Sequence, residues 1–247
     1  MDKKYHVLWT GGLDSTALVC SLLEQGYEVK VSYVEIHNNE EQYKRELSAI
    51  HSMQDILMEK DELNLISTIN GNNTHVEVFL ENDQPKINFA MMPMFVMHML
   101  YSYDPDYTFA LAYVSNDDFI GYAEEFKEAM SKFLPFYRYD YGAHPKLTPD
   151  NFNIEFPLIK ISKSELINYL KEFGREFFED EYKILNEVTY CESAYDEDFC
   201  GVCTCCERMK KDARDLFEYQ QSVYGKNKEI KDLEEKKQEE VQLNGVD

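Results

Sequence analysis

Basic side chains are scarce in this sequence. Of its 247 residues, 25 are lysine or arginine against 47 aspartate or glutamate, a formal net charge of -22. Such a field repels phosphate backbones over a Debye length, which weighs against sequence-independent nucleic-acid binding. A single nucleotide is not excluded, because a local cradle of donors overcomes a global field. Long apolar runs are missing too. None approaches the roughly 18 residues of a membrane-spanning helix. The first twenty residues carry Lys3, Lys4, His6, Asp14 and Ser15, which is no secretory apolar stretch. A cytoplasmic protein is therefore expected. Outside one stretch, cysteine is nearly absent. Only Cys20 precedes Cys191, and the other five lie between Cys191 and Cys206. Crowding of that kind in a cytoplasmic chain reads as metal binding before disulfides. There is no internal repeat.

What is there begins with an alternation of strand and helix patterns. "KYHVLW" (4–9) predicts a strand and "STALVCSLLEQG" (15–26) a helix closed by Gly26. "YEVKVSYVEI" (27–36) predicts a second strand, and residues 41–60 a long amphipathic helix. This β-α-β-α opening implies a parallel sheet with right-handed crossovers. Further strands are expected at 74–80 and 107–114. A buried helix is expected over 87–103, with its methionines as core filler, and another helix at 121–134. Residues 137–152 read as irregular. Ser162 with Glu165 three residues on forms a capping box that opens a helix over 163–174. A last helix spans about 207–221. The stretch 226–247 is nearly devoid of apolar side chains and is expected to fray. The expected organisation is an α/β domain over 1–186, a cysteine segment with its following helix over 187–222, and an acidic tail over 223–247.

"LWTGGLDST" (8–16) raises the first functional question. A Gly-Gly turn between the first strand and the first helix lies at the carboxyl edge of a parallel sheet, where ligands gather. Gly11 and Gly12 allow backbone to approach an anion with no Cβ in the way. The amides from about Gly12 through Leu13, Asp14 and Ser15 to Thr16 open the helix toward it. Hydroxyls of Thr10, Ser15 and Thr16 can add donors. There is no GxxxxGK and no GxGxxG, so neither a Walker loop nor a dinucleotide fingerprint is present. The turn suits a pyrophosphate, with Asp14 holding Mg2+ or fixing the loop. An ordinary tight turn with an N-capping Asp or Ser is the other reading of the same residues.

Cys191, Cys200, Cys203 and Cys206 fall as C-x8-C-x2-C-x2-C. Four thiolates at this spacing can close a tetrahedral structural zinc (Zn2+) site with no position left open for catalysis. Cys205 is then superfluous, because adjacent cysteines do not readily both turn inward. An iron–sulfur cluster and unligated thiols are compatible with the same donors.

Together, "TGGLDST" and "CESAYDEDFCGVCTCC" resemble the 7-cyano-7-deazaguanine synthase family, a branch of the PP-loop ATP pyrophosphatases. "PLIKISKSELINYLKEFG" (157–174) is similar to that family's proline-leucine strand and lysine-bearing helix start. The resemblance covers roughly residues 4–215. It implies a PP-loop α/β fold and a cytoplasmic enzyme, often dimeric, that uses ATP and Mg2+ and carries structural zinc. The implied reaction is that of an ATP-dependent carbon–nitrogen ligase. The carboxylate of 7-carboxy-7-deazaguanine is activated as an acyl-adenylate, ammonia gives the amide, and a second ATP converts the amide to the nitrile. By the same resemblance Thr10 through Thr16 grip the ATP phosphates, with Asp14 and Ser15 in catalytic roles. Lys163 neutralises charge on the α-phosphate; a solvated first-turn lysine is its plainer role. Asn88, Asp118, Gly121 and Tyr122 match the acceptor-binding motifs, and Cys191, Cys200, Cys203 and Cys206 match the zinc ligands. Asp118 can equally be a helix N-cap.

The acceptor region departs from the family pattern. Ile87 stands in "PKIN" where members carry arginine, "DFIGYAEEF" lacks the proline-aspartate-cysteine-arginine stretch, and "EIHNNEEQYKRE" lacks glycine-glutamine-arginine. Losing an arginine beside a carboxylate substrate removes a bidentate clamp. Three alternatives stay open: a related synthase joining a deazaguanine acid to another amine, a PP-loop tRNA-modifying enzyme, and a catalytically degenerate nucleotide-binding partner protein. The acidic charge and the commitment of the cysteines to one cluster weigh against the tRNA modifier. The intact "GGLDST" weighs against the degenerate partner.

Overall fold

A computed structural model describes residues 3–36, 40–67, 74–76, 106–115, 121, 123–129, 132, 153–190, 202–212 and 214–222. The chain divides into two compact units, Met1–Thr189 and Tyr190–Asp247. The first is built on a five-stranded sheet of β1 (Lys4–Leu8), β2 (Glu28–Ser32), β4 (Leu65–Ser67), β6 (Thr108–Ala110) and β7 (Ile154–Glu155). Their order is β4-β2-β1-β6-β7. Every pairing is parallel, with Lys4 opposite Glu28, Tyr5 opposite Thr108, Val29 opposite Leu65 and Phe109 opposite Ile154. Two short strands, β3 (Val34–Ile36) and β5 (Thr74–Val76), form a second parallel pair.

Parallel strands need crossovers, and the apolar spacing of the intervening segments supplies them. Helix α1 (Leu13–Glu24) links β1 to β2 and buries nine of its residues, among them Leu18, Val19, Leu22 and Leu23. Helix α2 (Glu40–Met58) links β3 to β4 and buries Ala49, Ile50, Met53 and Leu57. Helix α3 (Lys163–Phe178) packs on α1, burying Leu166, Ile167, Leu170 and Phe173. A second apolar cluster joins the end of the sheet to the helical residues 123–129: Phe109, Leu111, Ala123, Phe126, Ile154 and Phe156. The chain runs outward from β1 through β2 to β4, then returns to place β6 on the other side of β1. The strand order therefore reverses between β1 and β6, and ligands in open α/β sheets bind outside such a reversal.

The structure corrects the expected elements in five places. β4 was not expected at all, because "LIS" is too short to show a period of two; β2 recruits it as its second neighbour. The strand expected over 27–36 breaks at Tyr33. β1 ends at Leu8, so beyond Ser32 the chain loses that partner and pairs as β3 with β5 instead. Helix α3 runs four residues past Gly174 to Phe178, where Glu179 closes it in the left-handed conformation (φ 58°). The capping box at its start is present: the Glu165 amide donates to Ser162 Oγ at 3.3 Å and the Ser162 amide to Glu165 Oε2 at 2.8 Å. The strand expected over 107–114 is confined to β6. The helix expected over 87–103, the irregular stretch 137–152 and the tail 223–247 lie outside the described residues. None of the described helices is long and apolar enough to cross a membrane. In the second unit, α4 (Thr204–Asp212) begins three residues earlier than expected, and residues 214–222 are helical.

Candidate phosphate-loop site

The loop from Trp9 to Gly12 leaves β1 beside the strand-order reversal and turns directly into α1. Gly11 has φ 71°, a conformation L side chains rarely adopt. A Cβ there would also lie 3.0 Å from the Glu46 carbonyl oxygen and 3.2 Å from Ala49 Cβ, so α2 presses on the loop from behind. Gly12 is the N-cap of α1, and no side chain caps that end. Its own amide donates to Thr10 Oγ1 at 3.4 Å. The first-turn amides of a helix begun on glycine are aligned donors of the kind an anion needs.

The three hydroxyls foreseen at this loop divide into two layers. Thr10 and Ser15 form the outer one, with their oxygens 3.2 Å apart and the Thr10 amide donating to Ser15 Oγ at 3.3 Å. Thr16 forms the inner one. It is fully buried, accepts from the Trp9 indole N–H at 3.0 Å and donates to Met53 Sδ at 3.5 Å. Its hydroxyl thus serves the core, and what it can offer a ligand is backbone. Leu13 turns its side chain into the core.

Lys163 is the clearest product of tertiary structure. The first residue of α3, it reaches across 149 positions of sequence to place Nζ 2.9 Å from Asp14 Oδ2. The two side chains keep only 16% and 22% of their exposure, so the pair stands at the mouth of the loop, partly screened from water. The helix start fixes the lysine: Ser162 and Glu165 lock the first turn, and Lys163 follows the cap directly. One element of the site was not legible in advance. After α3 the chain returns through residues 180–188, and the Thr189 amide donates to the Gly11 carbonyl at 3.0 Å. The Thr189 carbonyl oxygen lies 3.5 Å from where a Gly12 Cβ would sit. The loop is held from above by backbone alone, which leaves no residue-type signal in sequence.

Of the other expected site residues, Gly121 is described and exposed, with open space around it. Asn88, Asp118, Tyr122, Cys191 and Cys200 lie outside the described residues. Cys203 and Cys206 lie at the start of α4, where the Cys206 amide donates to Cys203 Sγ at 3.4 Å. Cys206 is fully buried, whereas Cys205 is partly exposed. Among the described residues no group of three or more metal-binding side chains converges. An amide aimed at a sulfur, with a second cysteine buried one turn on, fits thiolate ligation by Cys203 and Cys206.

The family model for queuosine biosynthesis protein QueC matches residues 4–216. The chain belongs to this family. A 7-cyano-7-deazaguanine synthase from Clostridium kluyveri is 28% identical over 225 residues, 85% of this chain and 92% of that protein. Among solved structures, the U34-tRNA thiolase NcsA from Methanococcus maripaludis with its 4Fe-4S cluster aligns over 91% of this QueC-family chain and 71% of its own. It is 14% identical with a TM-score of 0.44, a distance at which no chemistry transfers. Membership makes this QueC-family chain a queuosine-pathway enzyme.

Proposed function

We propose that the protein is an ATP-dependent synthase that activates the carboxylate of 7-carboxy-7-deazaguanine, releasing pyrophosphate and then AMP. The observation that carries this reading is the meeting of Lys163 and Asp14 at the uncapped start of α1, 2.9 Å apart. A carboxylate is a poor electrophile until its oxygen can leave. Attack of that oxygen on the α-phosphorus of ATP expels pyrophosphate and forms the acyl-adenylate. Ammonia then displaces AMP to give the amide. Attack of the amide oxygen on a second ATP, followed by loss of AMP, leaves the nitrile.

Each residue has a task in that scheme. The amides of α1's first turn and the hydroxyls of Thr10 and Ser15 hold the departing pyrophosphate, where preorganised donors act most strongly. Lys163 supplies the fixed positive charge against the α-phosphate. Asp14 keeps that ammonium aimed at the loop and is the carboxylate that would hold Mg2+, which would add charge stabilisation to the same phosphates. Cys203 and Cys206, with Cys191 and Cys200, would hold zinc in a structural role, outside the chemistry. The acceptor is expected to contact Asn88, Asp118, Gly121 and Tyr122.

Incubating the protein with ATP, ammonium and 7-carboxy-7-deazaguanine and weighing the products by mass spectrometry tests the proposal. AMP, pyrophosphate and the nitrile are expected. ADP and inorganic phosphate would overturn the pyrophosphatase chemistry. AMP with an amide or a conjugate would keep the activation and replace the final product.

A further inference from the structure

The scheme above leaves one prominent residue without a task. Trp9 is the sole tryptophan in the chain and stands immediately before the phosphate loop, fully buried. Its backbone amide donates to the Ser32 carbonyl at 2.9 Å, extending the β1–β2 ladder by one rung. Its indole N–H, a donor with no acceptor counterpart, reaches Thr16 Oγ1 at 3.0 Å. Thr16 passes its own proton on to Met53 Sδ of α2, while its amide makes the opening helical bond of α1 to the Gly12 carbonyl at 3.0 Å.

Two side-chain rungs therefore span the gap between the exit of β1 and the entry of α1. The outer rung, Thr10 to Ser15, faces the ligand side of the loop. The inner rung, Trp9 to Thr16, lies wholly in the core, with both side chains fully buried. Residues 10–15, which include the first-turn amides of α1, are the span between the two ends of the inner rung. A loop whose ends are pinned presents its donors without paying to order them when the anion arrives. We propose that Trp9 is a positioning residue for the phosphate loop: through its hydrogen bond to Thr16 it sets the loop's span and so governs nucleotide affinity without contacting the nucleotide. This inference rests on the nucleotide reading of the loop.

The test compares Thr16→Val, which keeps the shape and removes the acceptor, with Thr16→Ser, which restores it. Binding of a non-hydrolysable ATP analogue with Mg2+ is measured by titration calorimetry well below each protein's melting temperature. Thr16→Val is expected to bind about 5- to 10-fold more weakly, the worth of one buried hydrogen bond. Thr16→Ser is expected to recover most of that loss, and KM for ATP should move more than kcat. Because the chain has a single tryptophan, the emission of Trp9 in the wild type reports the inner rung, and a loop pinned before the anion arrives should leave that emission nearly unchanged along the calorimetric isotherm. This measurement needs no variant to fold. If the wild type binds no analogue, the nucleotide reading falls and the inference with it. If the wild type binds, but Thr16→Val merely melts earlier and binds as tightly, Trp9 is structural only and the inference alone falls. A wild type whose Trp9 emission shifts saturably as it binds, meaning that the rung re-forms on binding, overturns it as well.

Discussion

Alanine at position 174 separates close backbone packing from helix propensity. Gly174 lies inside α3, where alanine in place of glycine ordinarily stabilises by about 1 kcal/mol. Here the new Cβ would land 2.5 Å from the Asp180 carbonyl oxygen, half an ångström short of the 3.0 Å that Cβ atoms essentially always keep. The Glu181 carbonyl oxygen would lie only 3.1 Å from the same Cβ. These atoms are backbone, and they are held: the Asp180 amide donates to the Gly174 carbonyl at 3.3 Å, and the Lys183 amide donates to the Asp180 carbonyl at 3.1 Å. Overpacking of this kind costs about 1–3 kcal/mol. Set against the propensity gain, Gly174→Ala should destabilise by about 1 kcal/mol, a fall in Tm of roughly 2–4 °C. The displaced segment is the one that leads to Thr189 and its bond to Gly11, so nucleotide affinity should fall in parallel. Urea unfolding gives the first quantity and a nucleotide titration the second. An alanine variant as stable as the wild type, or more so, would refute the close approach as the reason for glycine here.

Lys163→Met should cost little stability, since the pair it breaks is only partly buried, but should lower the rate of adenylation by about 100-fold or more, which a pyrophosphate-release assay reads directly. His6 supplies a pH dependence. Burial, then the Lys30 charge, hold its folded-state pKa down to about 3 from 6.5. The neutral ring is kept in the core against Ser32 Oγ at 2.8 Å and stacked on Phe109. The unfolded chain takes up a proton below pH 6.5 that the folded chain refuses. Stability from this site is therefore complete above that pH and is lost as pH falls toward about 3, by about 1.4 kcal/mol per unit. Urea midpoints between pH 7 and pH 5 should fall in the wild type and stay flatter in His6→Asn. For the metal, Cys203→Ser should lose bound zinc and soluble yield while Cys205→Ser retains both. Elemental analysis showing iron, or equal loss in the two variants, would remove the zinc assignment.

Local order along the chain determined a good deal of this protein. The glycine turn before α1, the Ser162–Glu165 box that starts α3 and the alternating strand and helix segments all depend on residues within a few positions of each other. Spacing therefore reveals them. The C-x2-C pair was legible for the same reason, because one turn of α4 brings Cys206 beneath Cys203. Tertiary structure decided the rest. β4 is three residues long and exists because β2 had an edge to fill. The two ends of the Lys163–Asp14 pair are 149 residues apart, and only the packing of α3 on α1 brings them to one loop. Thr16 was expected to face the phosphates, but the indole beneath it and Met53 beside it turned its hydroxyl inward. Thr189 holds Gly11 through backbone atoms that every residue but proline carries, so no side chain announces it. Side-chain periodicity encodes which face of an element is buried. Which element it is buried against is settled by the sum of weak contacts over the whole core, and the phosphate loop was completed at that level.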